Sequence, residues 1–121
     1  MDEFALLISE ANADMQDTAR EARAVIRTLV PEATEVVTPG YRSVSFGYGT
    51  RLREQFLSLV LYDRHVRLQV HDATEVVTNR RLLERTGDGM PHIKLRRSRD
   101  LQAPELKKLI CEVRDQHVPP A

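Results

Sequence analysis

Two segments joined by two residues narrow the fold most. Gln55–Tyr62 reads QFLSLVLY and is almost continuously apolar, as a strand in the middle of a sheet tends to be. After Asp63-Arg64 comes His65–His71, HVRLQVH, which alternates strictly. Val66, Leu68 and Val70 take one face, while His65, Arg67, Gln69 and His71 take the other. Such a short connection between two such runs predicts an antiparallel hairpin.

Other segments extend the sheet. Glu35–Val37 is short, and Pro39-Gly40 marks a turn. Tyr41–Tyr48 (YRSVSFGY) alternates at Val44, Phe46 and Tyr48, with Gly47 and Gly49 closing it. Pro91–Arg97 (PHIKLRR) sets Ile93 and Leu95 inward and His92, Lys94 and Arg96 outward.

Helical periodicity flanks these strands. In Asp14–Val30, the residues Met15, Ala19, Ala22, Ile26 and Leu29 recur at steps of four, three, four and three, which places them on one face. Pro31 ends that run. Asp2–Ala11 predicts one or two helical turns, with Asn12 or Asp14 capping the next segment. Asn79–Arg85 reads as a short helix. Ala103–Gln116 reads as the last one, with Pro104 in its first turn and Leu106, Leu109, Ile110 and Val113 as its stripe. Two single-stripe helices flanking antiparallel strands predict an α+β fold. Both helices should pack on one face of the sheet and leave the other face to solvent. With 121 residues and no internal repeat or linker, residues 1–121 read as one domain.

Composition bounds the function. Eighteen basic and eighteen acidic residues balance to a formal charge of zero, which argues against nonspecific nucleic-acid binding. Without tryptophan, and with only three tyrosines and three phenylalanines, base stacking has little to work with. Cys111, the sole cysteine, rules out an intrachain disulfide and a cysteine-rich metal site. Its neighbours Leu109, Ile110 and Val113 predict a buried, inert thiol. No apolar run approaches the roughly 20 residues of a membrane helix. The acidic start MDEFALL lacks the basic region of a signal peptide. These features read as a cytoplasmic protein.

The glycines of Leu82–Leu95 (LLERTGDGMPHIKL) invite comparison with a phosphate loop. Thr86-Gly87-Asp88-Gly89 follows a predicted helix and precedes a strand, the reverse of the order that aims a helix N-terminus at phosphate. Gly87 instead reads as a left-handed helix C-cap.

The run from His65 to Leu95 resembles the YdhG-like family, a domain of unknown function. The matching residues are His65, Val66, Leu68, Leu82, Leu83, Glu84, Thr86, Gly87, His92, Lys94 and Leu95. Pro31, Glu35, Tyr41, Glu54-Gln55-Phe56 and the terminal helix also sit where the pattern has them, so the likeness spans Asp14–Val113. Arg85, Asp88 and Pro91 replace a glycine, a lysine and an arginine of the pattern, and Thr78-Asn79 replaces Asp-Pro. No anion-binding role is therefore carried over to this loop. The resemblance implies a frataxin-like fold, and some relatives are described as iron chaperones.

Two side-chain groups stand out. His65, Arg67, His92, Lys94 and Arg96 should share the open sheet face as a cationic patch for an anionic partner, either a protein or a small anionic ligand. Glu10, Asp14, Asp17 and Glu21, at steps of four, three and four, form an acidic stripe, with a basic one of Arg20, Arg23 and Arg27 on the opposite flank; the acidic stripe shortens if the helix breaks near Asn12. Through the resemblance, these carboxylates are the alternative: oxygen ligands for weakly bound iron. His65 and His71 lie about 20 Å apart by strand rise and cannot share a metal. Ser43, Ser45 and Ser58 lack a nucleophile-elbow context, and no nucleophile–base pair is predicted. The leading expectation is a binding or adaptor domain that is not an enzyme and needs no cofactor.

Overall fold

The computed structural model describes residues 2–71, 82–84 and 90–119. Its elements run α1 (Glu3–Ile8), α2 (Ala13–Leu29), β1 (Thr34–Thr38), β2 (Ser43–Gly47), β3 (Gln55–Leu61), β4 (Val66–Val70), β5 (His92–Leu95) and α3 (Pro104–Asp115). The five strands form one antiparallel sheet in the order β1-β2-β3-β4-β5. This is the α+β class that the periodicities predict, with β3 in the centre.

Register assigns the two faces. Leu57, Leu59 and Leu61 of β3 lie opposite Val70, Leu68 and Val66 of β4, and Val66 and Leu68 lie opposite Leu95 and Ile93 of β5. Val44 and Phe46 of β2 continue this face. It meets Phe4 and Ile8 of α1, Met15, Ala19, Ala22 and Ile26 of α2, and Leu106, Leu109, Ile110 and Val113 of α3 in one apolar core. The described helices α1, α2 and α3 therefore cover the same side. Burying one such aliphatic side chain stabilises by about 1.5–3 kcal/mol, so this face sets the fold.

Caps and turns place the helices. The Asn12 side chain accepts from the Met15 N–H at 2.9 Å, and its amide donates to the Asp63 carbonyl at 3.0 Å. One residue thus caps α2 and ties it to the β3–β4 turn. Arg23 of α2 donates to Glu35 of β1 through Nε at 2.8 Å and through a terminal nitrogen at 2.9 Å. At the edge of β2 the register slips, so that Gly47 pairs with Gln55 while Phe46 pairs with Leu57. The extra residue, Phe56, stacks on His117 at 4.4 Å between ring centroids.

Several expectations are corrected. Tyr41 lies in a 3-10 turn, Pro39–Tyr41, because Pro39-Gly40 bends the chain before β2 begins. β1 is longer than its apolar core of Glu35–Val37. Cys111 is half-buried instead of fully enclosed, because it sits beside the α3 stripe and not on it. The short helix predicted at Asn79–Arg85 falls outside the described residues except for Leu82–Glu84, where Glu84 pairs with His92 as an isolated bridge. The Gly87 cap also lies outside them. No helix among the described residues is long and apolar enough to cross a membrane.

Candidate functional site on the open sheet face

The face away from the helices is polar and uneven. Its positions follow from the same register: Ser43 and Ser45 of β2 lie opposite Val60 and Ser58 of β3. Ser58 and Val60 in turn lie opposite Gln69 and Arg67 of β4, and Gln69 and Arg67 lie opposite His92 and Lys94 of β5.

Over β2, β3 and β4 this face is concave. The recess has a volume of about 370 Å³, with Ser43, Ser45, Ser58, Gln55, Gln69 and His71 among its lining residues. Tyr41, Tyr62, Leu52 and Met90 also line it. Those four are also among the few large hydrophobic side chains that the described residues leave exposed, Tyr41 at 78 % and Leu52 at 74 %. The floor holds a chain of hydrogen bonds. Ser45 Oγ lies 2.8 Å from Ser58 Oγ, and Ser58 Oγ lies 2.7 Å from His71 Nε2. Burial and the nearby His117 push the His71 pKa below its ordinary 6.5. At neutral pH the imidazole is therefore uncharged, and the lining carries no formal charge.

Beside the recess lies a cationic end. Arg67 faces Lys94 directly across the strands, a like-charge pairing that is unfavourable in a sheet. Glu84 offsets part of it through an ion pair with Lys94 at 3.8 Å. The Arg67 guanidinium lies over the Tyr62 ring at 4.6 Å, and His65 stacks on the same ring at 4.8 Å. Burial first, then Arg67, Lys94, Arg96 and His92, lower the His65 pKa. Register brings Arg67 and Lys94 face to face, and His65, His92 and Arg96 lie along the same two strand lines. Arg67 Nε and His65 Nε2 are buried without hydrogen-bond partners among the described residues.

His92 differs from expectation. Register puts it on the open side, opposite Gln69, yet it is fully buried. Glu84 pairs with it on the flank where β5 would otherwise be an edge. Its Nδ1–H donates to the Met90 carbonyl at 2.9 Å, which leaves Nε2 as a buried acceptor without a donor among the described residues. The exposed part of the patch is thus Arg96, with the partly covered Arg67, Lys94 and His65.

The acidic stripe assembles only in part. α1 ends at Ile8, so Glu10 lies in the turn before α2 while Asp14, Asp17 and Glu21 lie on that helix. Asp14 and Asp17 share a recess with Arg97 and Arg99. Asp17 pairs with Arg20 at 3.4 Å, and Glu21 accepts from Gln102 at 3.3 Å. Arginines next to the carboxylates compete with any cation. Among the described residues, no group of three or more His, Cys, Asp or Glu side chains is placed to hold a metal ion.

Sequence reasoning missed the Ser45–Ser58–His71 chain. The signal was present in the two-residue hairpin connection, which sets Ser58 opposite Gln69 and hence diagonal to His71. Compared with known proteins, the chain matches no family model, no curated protein and no solved structure.

Proposed function

We propose that this chain is a divergent YdhG-like, cytosolic binding domain whose open sheet face receives an anionic partner. The observation that carries the reading is the facing pair Arg67 and Lys94, of which Lys94 pairs with Glu84 at 3.8 Å while Arg67 has no ion pair among the described residues; Arg96 flanks them, with the Asp100 carboxylate at its backbone N–H. Cross-strand repulsion is tolerated here without a matching carboxylate for Arg67 among the described residues, and an incoming anion relieves it. Arg67 is also pre-positioned by the Tyr62 ring, so less side-chain freedom is lost on binding. The iron-binding alternative has less support, because Glu10 is separated from α2 and arginines neighbour Asp14 and Asp17.

The test is titration of citrate and of an acidic peptide into isotope-labelled protein at low salt. Amide shifts should concentrate at Arg67, Lys94 and Arg96 and shrink as salt screens the charges. Identical titrations for wild type and for a variant with those three residues changed to Gln would overturn the reading.

A further inference from the structure

We infer that the recess beside this patch is a small-molecule site for a planar aromatic acid, one that carries a hydrogen-bonding group opposite its carboxylate. This rests on the open-face reading above and narrows it from any anion to a ligand class.

Size comes first. About 370 Å³ lies within the range of small-ligand sites and is too small for a folded partner's surface. The lining then separates into two chemistries. Tyr41, Tyr62, Leu52 and Met90 supply apolar and aromatic walls, exposed as they stand. Ser45, Ser58 and His71 form a continuous hydrogen-bonded floor that is largely buried. The hydroxyls of Ser45, at one end of the chain, and Ser58, at its centre, can reverse donor and acceptor roles, and each keeps a lone pair to spare, so the floor accommodates a ligand hydroxyl or amide.

An uncharged lining does not hold a carboxylate. The cation at the border does: Val60, which lines the recess, is the cross-strand partner of Arg67. Along β4, Arg67 is two residues from Gln69, the partner of Ser58, or about 7 Å by strand rise. A benzene ring with para substituents spans that separation, with its hydroxyl over Ser58 and its carboxylate toward Arg67.

The probe is 4-hydroxybenzoate, compared with benzoate, benzyl alcohol and acetate by calorimetry and by amide shift mapping on the intact chain. Expected is the tightest binding for 4-hydroxybenzoate, about fivefold over benzoate, the worth of one hydrogen bond. Shifts should map to Ser45, Ser58 and Gln69. In Ser58→Ala the preference for 4-hydroxybenzoate over benzoate should vanish. Should that variant fail to fold, the wild-type shift map decides alone. If 4-hydroxybenzoate binds no better than acetate while Arg67→Gln still weakens acetate and citrate, the recess inference falls and the anionic-face reading stands. If no anion binds at all, both fall.

Discussion

The Ser58 hydroxyl oxygen lies 2.7 Å from Nε2 of His71 and shares the floor of the open-face recess with Ser45. One hairpin therefore supplies both halves of the contact, Ser58 from β3 and His71 from the position after β4, and the imidazole nitrogen accepts or donates according to its tautomer.

The two histidines of this face predict a pH effect. Burial lowers the His71 pKa, with His117 adding to it, and burial with Arg67, Lys94, Arg96 and His92 lowers that of His65. The unfolded chain, with ordinary values near 6.5, then takes up protons before the folded chain does. Stability should be fully present above that value and be lost as pH falls through the lowered folded values. Urea unfolding midpoints between about pH 7.5 and pH 5 measure this. The double variant His65→Gln/His71→Gln should show a flatter slope than wild type.

Arg23 and Glu35 join α2 to the β1 edge by two hydrogen bonds of 2.8 and 2.9 Å. Their side chains are 23 % and 20 % exposed, so the pair falls between a screened surface bridge and a buried one. Glu35→Gln should destabilise by about 1–2 kcal/mol, read by chemical denaturation. Arg27, at 3.8 Å from the same carboxylate, should add a smaller loss when changed to Gln.

Gly47 and Gly49 should respond differently to alanine. A Cβ on Gly47 would collide with the Glu54 carbonyl oxygen and the Gln55 Cα, which are backbone atoms at the register slip. Gly47→Ala should therefore cost about 1–3 kcal/mol or more. At Gly49 the collision is with the Glu54 carboxylate, a side-chain end that can swing away, so Gly49→Ala should cost about 1 kcal/mol at most. Paired melting curves compare the two.

Changing Arg67, Lys94 and Arg96 together to Gln should leave stability within about 1 kcal/mol of wild type. Relief of the Arg67–Lys94 repulsion offsets the lost contact of Arg67 with Tyr62. Melting temperatures at low and high salt test this, and the difference between variant and wild type should narrow as salt rises.

Much of the frame was legible in particular residues. The steps of Met15, Ala19, Ala22 and Ile26 identify the α2 face that the core buries, and Leu106, Leu109, Ile110 and Val113 do the same for α3. The Asp63-Arg64 connection implies the β3–β4 pairing, because a two-residue turn leaves one antiparallel register. Alternation then separates Val66 and Leu68 from Arg67, and Ile93 and Leu95 from Lys94. Periodicity suffices for these because each records a local geometry, either helical or extended.

The candidate site was less legible, for reasons that alternation does not contain. It places His92 correctly on the open side, but whether a side chain on that side is wet depends on its neighbours, and Glu84 and Met90 enclose it. Periodicity alone carries Glu10 into line with Asp14 and Asp17; the Asn12 cap, legible in the sequence, breaks that line, since the chain leaves the helix after Ile8 and restarts there. Sequence by itself determined the helix faces, the strand alternation and the hairpin, since these follow from backbone period and turn length. Only the tertiary structure decided that Ser45, Ser58 and His71 join, that Arg67 meets Lys94, and that a recess opens beside them. Those contacts link separate strands, and their distances depend on how the whole sheet twists and packs.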